Sequence, residues 1–373
     1  YMRDLPYSYD MLVENLGDPA HIPFAHHGVL TSRDTAKPIP VRMETPEDAL
    51  KLNFHGSPGY YSKPYSIAGF ELQQPNVCIA FEAPALLYYQ TDTKEVLDGM
   101  VGKMKAPFKQ LARLLVDLDR KGKDPHAREL FYVITYMVPT APGKSRFFIN
   151  NARNFFQFIQ LPTVVEHWLQ HQVVDGDTML LHLEEQQYDQ ISDPSKLDAK
   201  LFMPIESDTT VREFRRWYRK NPPQWAPEAS KSTSTQPLPR SAVLDRFNSH
   251  TQKCAACRTA MLQLQQAQTA SMAGCLLLLA AAAVLPNGGW PSMTAAAVAV
   301  VAAAASYLLK QLQQEFTLST TCMQSGMCEQ KANFNFNWWS CVHQYCTTTN
   351  LKRQQPSALG SLRLPLQYMS CSV

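Results

Sequence analysis

Two apolar runs near the C-terminus constrain the fold of this chain more than any other feature. Residues 269–285 are apolar apart from small Ser, Thr and Gly residues, and residues 290–309 are mostly Ala, Val and Leu. The second run is long enough to cross a hydrocarbon core, and the first, at roughly 17 residues, is marginal. Because neither run has a polar stripe, we predict a transmembrane helical hairpin over 269–310, with Arg258 and Lys310 on the same side. The alternative is an Ala-rich helical pair buried in a soluble protein.

The first 227 residues have the pattern of one globular unit. The run 130–136 is rich in β-branched and aromatic residues and predicts a strand. Helical periodicity appears around 8–22, 104–119 and 208–219. This unit therefore contains both strands and helices, and we predict that it folds as one domain, large enough to be catalytic.

The segments on either side of the apolar hairpin have less regular patterns. Residues 228–268 open with a Ser/Thr/Pro-rich stretch, and we predict a linker that ends in a Cys-x-x-Cys segment. Residues 311–373 are rich in Thr, Gln, Asn and Cys without periodicity. We expect this tail to be irregular or disordered, or to derive from translated intron or frameshifted sequence.

Bulk composition excludes some classes of protein. A net charge of +3 and 18% charged residues over 373 positions give no support for nucleic-acid binding. Nine cysteines in a chain of this length are not a disulfide framework. The chain starts at Tyr1 and shows no signal or transit peptide. We expect a fragment or an incomplete gene model.

The segment 15–27 contains a candidate metal motif, with Asp18 three residues before His21 and His26 five residues after it. Two imidazoles and a distant carboxylate form the facial triad of non-haem Fe(II) oxygenases. On an ideal helix the two histidines lie about 140° apart, so sharing one metal needs a bend, for which Pro23 is the predicted cause. Asp18 suits a partner that fixes the imidazole tautomer. The alternative is a helix capped at Asp18 with two surface histidines.

A third ligand has to come from elsewhere in the chain. The best candidate is Asp177, which we expect to open a helix that carries further polar residues. A simple helix cap at Asp177 explains the local pattern equally well. Sequence spacing alone leaves both interpretations open.

Several segments together resemble a known family, the catalytic domain of chloroplast Rieske-type oxygenases, and most of all its pheophorbide a oxygenase-like members. The resemblance runs from residue 1 to about 312. The matching segments are 4–10, 14–21, 24–27, 33–40, 139–146, the region around Asp177, 245–247 and 250–257.

The resemblance implies roles for individual residues. His21 and His26 would bind mononuclear Fe(II), with Asp177 as the third ligand. Asp18 would be the carboxylate that bridges to a Rieske-cluster histidine on a neighbouring subunit. Asn15 would lie close to the metal. His27 is a rival to His26, because related enzymes vary that spacing by one residue.

The resemblance also implies a fold and partners. The fold is α+β of the helix-grip (Bet v1/START-like) type, in which an antiparallel sheet wraps a long helix around an apolar cavity. Expected partners are ferredoxin, a tetrapyrrole substrate, the membrane, thioredoxin and two further subunits of a homotrimer, with no nucleic acid. The expected location is a chloroplast membrane, the inner envelope or the thylakoid.

The family's Rieske domain is missing from the printed sequence. Its signature is Cys-x-His followed after about 15–20 residues by Cys-x-x-His, and it precedes the catalytic domain. Cys341-Val342-His343 has half of that pattern at the wrong end of the chain, which we attribute to chance. We expect the full-length protein to carry the [2Fe–2S] cluster, since without it this part of the protein could bind iron but would not receive electrons normally.

Cys254 and Cys257 form a Cys-x-x-Cys pair that fits half a zinc site or a redox dithiol. No second Cys-x-x-Cys lies nearby, which weakens the zinc interpretation. Lys253 and Arg258 are expected to lower a thiol pKa and favour reactivity. The resemblance also implies a thioredoxin-responsive redox role, and an inert pair is the alternative.

The predicted activity is that of a membrane-anchored, ferredoxin-dependent monooxygenase. For pheophorbide a the expected outcome is oxygenolytic opening of the macrocycle in chlorophyll breakdown. One alternative is an oxygenase of chlorophyllide, protochlorophyllide or a phyllobilin. Another is a non-catalytic envelope protein with redox-sensing thiols.

Overall fold

The computed structural model describes residues 1–30, 33–36, 39–43, 60–64, 77–189, 203–221, 238–286 and 289–319. The Ser/Thr/Pro-rich part of the predicted linker and the tail from residue 320 onward lie outside these described residues.

In the described part of the chain, seven strands form one fully antiparallel sheet in the order β1-β7-β6-β5-β4-β3-β2. The strands are β1 (Met2–Leu5), β2 (Val41–Met43), β3 (Tyr60–Pro64), β4 (Val77–Glu82), β5 (Leu86–Asp92), β6 (Leu130–Ala141) and β7 (Lys144–Arg153).

The β6–β7 hairpin shows why these residues pair as strands. Met137 and Phe147 face each other in the register and are buried, whereas the neighbouring pair Tyr136 and Phe148 is exposed. This alternation is the period-two pattern of a sheet with one face on the core. Gly143 closes the hairpin with a φ of 63°, a value that glycine adopts without steric cost.

Ten helices accompany the sheet among the described residues. They are α1 (Tyr9–Gly17), α2 (Ile22–Ala25), α3 (Lys94–Lys103), α4 (Phe108–Arg120), α5 (Thr163–Asp189), α6 (Thr209–Lys220), α7 (Arg240–Val243), α8 (Arg246–Ser249), α9 (Ala255–Val284) and α10 (Trp290–Gln314). Short 3₁₀ turns lie at Pro19–His21, Arg33–Thr35, Glu206–Asp208 and Thr251–Lys253.

The core lies between the sheet and α1. Leu12 and Val13 of α1 are buried with Phe81, Leu87 and sheet neighbours in one apolar cluster. The long helix α5 packs against α1, and α6 packs against α1, β2 and β3. This layering fixes α1 between the sheet and α5, so residues at the end of α1 face α5.

The α+β class with an antiparallel sheet and a long helix is confirmed, and the more specific helix-grip assignment stays a prediction. The segment 238–268, which belongs to the predicted linker and Cys-x-x-Cys segment, has regular structure. It forms α7, α8, a 3₁₀ turn and the first half of α9, which packs on α5. Residues 311–319 differ from an irregular tail, because α10 continues to Gln314 and Leu318 pairs with Asp245 in a β-bridge.

Helices α9 and α10 pack against each other as a pair and are long and apolar enough to cross a membrane. A buried pair in a soluble protein would hide most of its apolar surface. Instead, only 6% and 11% of their most apolar stretches are buried, and Leu277 and Val300 are about 70% exposed. These exposed faces favour the membrane interpretation over the buried pair.

Candidate metal centre

His21, His26 and Asp177 meet in one buried site, although 151 residues separate the last two. The two Nε2 atoms lie 3.3 Å apart, and the Asp177 carboxylate oxygens lie 3.9 Å from His21 Nε2 and 3.6 Å from His26 Nε2. All three residues are buried. One imidazole nitrogen from each histidine and one carboxylate oxygen therefore converge on a common point.

The backbone around the histidines differs from the predicted bend at Pro23. Ile22 keeps helical angles, and Pro23 stands in the first turn of α2, where its missing N–H costs nothing. The break comes earlier, at Asp18, which is extended before Pro19 as expected of a pre-proline residue. A 3₁₀ turn through His21 then alters the helical phase. These two features replace Pro23 as the cause of the convergence.

Asp177 lies in the middle of the 27-residue helix α5, so the prediction that it opens or caps a helix is wrong. Its neighbour Gly176 explains how α5 comes so close to α2. A Cβ atom at Gly176 would lie 2.7 Å from the carbonyl oxygen of Ala25 and 3.2 Å from His26 Nδ1. Only glycine fits here, and a glycine inside a helical pattern is the sequence signal of such close approach.

The electrostatics of the site favour metal ligation over ion pairing. Burial lowers the pKa of both His21 and His26 to about 4, so both imidazoles are neutral near pH 7. Burial raises the pKa of Asp177 to about 6, while His21 and a hydrogen bond from Asn15 lower it. The carboxylate is therefore mostly ionised at neutral pH.

This donor set fits a metal ion. Asp177 Oδ1 is buried without a hydrogen-bond partner, as expected of an oxygen that would face an ion. Two nitrogens that bind one ion at about 2.1 Å each are expected to lie about 3.0–3.4 Å apart, as the two Nε2 atoms do. Two imidazoles and one carboxylate are the ligands of non-haem Fe(II) sites.

Asp18 supports His21 in a different way from the one predicted. The Nδ1–H of His21 donates to the backbone carbonyl of Asp18, not to its carboxylate, and this leaves Nε2 free to bind a metal. The Asp18 carboxylate instead accepts a 2.8 Å hydrogen bond from the Ala20 N–H. Burial raises the Asp18 pKa to about 8, with a further contribution from the charge of Asp208.

Asn15 lies next to the candidate metal site, whereas His27 lies outside it. The buried Asn15 donates a hydrogen bond to Asp177, next to the site as expected. His27 Nδ1 accepts a 3.1 Å hydrogen bond from the backbone N–H of Arg33 and is not part of the cluster. The geometry therefore favours His26 over His27 as the second imidazole.

A small cavity borders His21 between α1 and α5. Its walls include the apolar Met11 and Leu180 and the carboxyl groups of Glu14 and Glu184. Burial raises the pKa of Glu14 to about 7, although Arg215 pairs with its carboxylate. A buried carboxyl group that is paired with an arginine thus lines the cavity beside the candidate metal site.

Cys254 and Cys257 are free thiols at the start of α9, well before the apolar run. The prediction that neighbouring cations lower a thiol pKa is wrong for Cys257, because burial raises its pKa to about 12. The two cationic side chains contact other groups: Lys253 pairs with Asp4, and Arg258 donates a hydrogen bond to the backbone carbonyl of Gln252.

A buried charge network next to the site was not predicted. Asp175, two residues before Asp177 on α5, accepts hydrogen bonds from Arg3 of β1 and from Arg246 of α8. Arg246 also binds Glu315 at 2.9 Å. The network joins four distant segments, and no local sequence pattern marks it.

Comparison with known proteins places the chain in a family. The sequence model of the family Pheophorbide a oxygenase matches residues 81–195. The chain is 32% identical over 290 residues to the chloroplastic pheophorbide a oxygenase of Oryza sativa subsp. japonica, covering 72% of this chain and 47% of that protein. The chain belongs to the pheophorbide a oxygenase-like family.

More distant relatives of this pheophorbide a oxygenase-like chain are also chloroplastic. It is 30% identical over 280 residues to the protochlorophyllide-dependent translocon component 52 of Arabidopsis thaliana, covering 69% of this chain and 46% of that protein. Among solved structures, NdmA of Pseudomonas putida CBB5 with caffeine aligns at a TM-score of 0.37 and 14% identity, covering 62% of this chain and 53% of NdmA. The chain spans about half the length of these relatives.

Proposed function

We propose that this chain is the catalytic part of a Rieske-type monooxygenase that acts on a chlorophyll-derived tetrapyrrole. The reaction we assign to it is the oxygenolytic ring opening of pheophorbide a. The observation that supports this most is the convergence of His21, His26 and Asp177 in a chain 32% identical to a pheophorbide a oxygenase.

In this proposal each residue of the site has a defined role. His21, His26 and Asp177 hold Fe(II), which supplies the activation of O₂ when bound. Asn15 orients the Asp177 carboxylate through their hydrogen bond. The Asp18 carbonyl fixes the His21 tautomer. The Asp18 carboxylate links the site to a Rieske histidine of a neighbouring subunit.

The assembly that we propose extends beyond this chain. A Rieske [2Fe–2S] domain accepts electrons from ferredoxin, and three subunits form a ring in which one subunit's cluster serves the next subunit's iron. Residues 1–227 are the catalytic domain and 269–310 the membrane anchor. The location is the chloroplast inner envelope or thylakoid membrane, which the chloroplastic relatives and the two exposed apolar helices support.

The test is single-turnover and steady-state oxidation of pheophorbide a by the full-length protein with reduced ferredoxin and iron. The wild type should consume O₂ and form the ring-opened product, and His21→Ala should reduce turnover by at least about 10³-fold because it removes a ligand. His27→Ala is the matched control, since His27 lies outside the cluster, and it should keep near wild-type turnover. Equal turnover in His21→Ala and wild type would reject the assignment.

The same assay distinguishes the proposed function from the alternative functions. Product formation from chlorophyllide, protochlorophyllide or a phyllobilin, with none from pheophorbide a, would keep the oxygenase class and change the substrate. The similarity to a protochlorophyllide-dependent protein makes that pigment the first alternative. Full-length protein that binds no mononuclear iron would favour a non-catalytic protein whose Cys254 and Cys257 respond to thioredoxin.

A further inference from the structure

A second cluster of potential metal ligands lies outside the iron site. His167, His250, Cys254 and Cys257 each offer one ligand atom, and these four atoms lie within 4.8 Å of one another. His250 and Cys257 are about 1% exposed, and the other two are partly buried. Two imidazoles and two thiols thus share one buried point, although 90 positions separate His167 from Cys257 along the chain.

Four of the six ligand–ligand distances within the cluster match those of ligands around one tetrahedral ion, and all six lie within 4.8 Å. His167 Nδ1 lies 3.2 Å from His250 Nε2, 3.5 Å from Cys254 Sγ and 3.4 Å from Cys257 Sγ, and His250 Nε2 lies 3.4 Å from Cys257 Sγ. With Zn–N near 2.05 Å and Zn–S near 2.3 Å, tetrahedral geometry requires about 3.3 Å for N···N and about 3.6 Å for N···S. Each of these four distances lies within about 0.2 Å of that requirement.

Contacts around the cluster orient His250 for metal ligation. The Nδ1–H of His250 donates to the backbone carbonyl of Met2, which leaves Nε2 as the metal-facing atom. The Tyr1 ring stacks on His250 with 4.7 Å between ring centroids. These contacts hold the imidazole in one tautomer and one orientation, as ligating histidines require.

We propose that His167, His250, Cys254 and Cys257 bind one structural Zn²⁺. Binding releases one proton from each thiol, so the ion and two thiolates form a site with no net charge that can be buried at little cost. The ion joins α5, the residue that follows α8 and the start of α9, and therefore fixes the C-terminal helical pair to the catalytic domain. Four protein ligands fill the coordination sphere, which is the arrangement of a structural site.

The geometry argues against a [2Fe–2S] cluster at this position. In a Rieske centre the two imidazoles bind one iron and the two thiolates bind the other, so the nitrogens and sulfurs face different atoms. Here His167 Nδ1 lies within 3.5 Å of both sulfurs. A single ion suits this arrangement, and sulfur with imidazole in tetrahedral geometry suits zinc.

The test measures zinc in the full-length protein purified without chelators and with iron in the oxygenase site. We expect about one Zn²⁺ per chain in the wild type. In Cys254→Ser the zinc affinity should fall by at least about a hundredfold, because removal of a ligand costs more than removal of a group that only supports a ligand. Cys275→Ser is the matched control, because Cys275 is a buried free thiol elsewhere on α9. It should keep its zinc.

Cobalt substitution gives a second readout that does not depend on the stability of a variant. Co²⁺ in the wild type should show the intense visible bands of tetrahedral coordination and a thiolate-to-cobalt charge-transfer band in the near ultraviolet. His21→Ala should keep both, since the iron site has no thiolate. This separates the zinc site from the oxygenase site, so either assignment can fail without the other.

Two results would overturn the proposal. One is zinc that stays bound in Cys254→Ser, which would place it on other ligands. The other is a wild-type protein without zinc that takes up Co²⁺ with no thiolate band and forms a Cys254–Cys257 disulfide, which would make the pair a redox dithiol.

Discussion

Gly176 controls how closely α5 and α2 approach, and this one residue gives a sharp test of the site. In Gly176→Ala the new methyl group would meet the Ala25 carbonyl at 2.7 Å and His26 Nδ1 at 3.2 Å. Neither helix can yield without moving His26 away from Asp177. We expect Fe(II) affinity, measured by titration of the metal-free protein, to fall roughly 10–100-fold.

Gly99→Ala is the control for this change. Gly99 is also helical, but a Cβ there meets nothing within 4 Å. Alanine should therefore stabilise α3 by up to about 1 kcal/mol and leave iron affinity unchanged. Unaltered affinity in Gly176→Ala would show that the contact between α2 and α5 does not determine the metal geometry.

At the same scale, the sequence predicted the ligand triad better than its surroundings. The motif and the resemblance pointed to His21, His26 and Asp177, which the structure brings together. The prediction for the local backbone was wrong. The bend that brings His21 and His26 together comes from a pre-proline break at Asp18 and a 3₁₀ turn, not from Pro23. Spacing arguments assume one ideal helix, and this segment mixes two helix types.

Helix α5 depends on a buried charge network that can be tested through Arg246. Arg246 is fully buried and donates to Asp175 at 2.6 and 2.9 Å. Arg246→Ala removes two hydrogen bonds from the buried carboxylate of Asp175 and an ion pair from the partly exposed Glu315, which is expected to cost about 3–5 kcal/mol. The thermal midpoint of the detergent-solubilised protein should fall by roughly 6–20 °C.

The comparison for this experiment is a surface ion pair. Arg128 pairs with Asp92 at 2.9 Å, but its side chain is 60% exposed. Arg128→Ala should cost at most about 1 kcal/mol. If both variants shift the midpoint equally, the buried network contributes no more than an ordinary surface contact.

Elements with local signals were predicted and elements set by distant contacts were not. The β-branched run at 130–136 and the periodicity at 208–219 correspond to β6 and α6. The cluster of His167 with His250, Cys254 and Cys257 was missed, since His167 comes from α5 and the other three from the segment around the start of α9. The sequence showed only the Cys-x-x-Cys half of it.

For the whole molecule, the exposed faces of α9 and α10 predict insertion in a bilayer. Leu277 lies within the apolar run and is 71% exposed. Leu277→Arg should raise the free energy of insertion by about 2.5–3.5 kcal/mol and shift the protein toward the soluble fraction in a microsomal insertion assay. Gln265→Arg, on the same helix before the apolar run, should insert as the wild type does.

The opposite result for Leu277→Arg would change the interpretation of the exposed apolar faces. If Leu277→Arg inserts as well as Gln265→Arg, the apolar faces do not contact lipid. A partner chain or a second copy of the pair would then have to cover them.

The continuity of α9 sets a distance between the membrane and the oxygen chemistry. Residues 255–268 precede the apolar run on the same unbroken helix and, at 1.5 Å per residue, extend for about 20 Å. With the apolar run inside the bilayer, these residues lie outside the hydrocarbon core, and the packing of α9 on α5 holds the sheet domain beside them. Under the proposed function, a pigment dissolved among the lipid tails would have to leave the bilayer before its oxidation, so its extraction from the membrane would become a step in turnover.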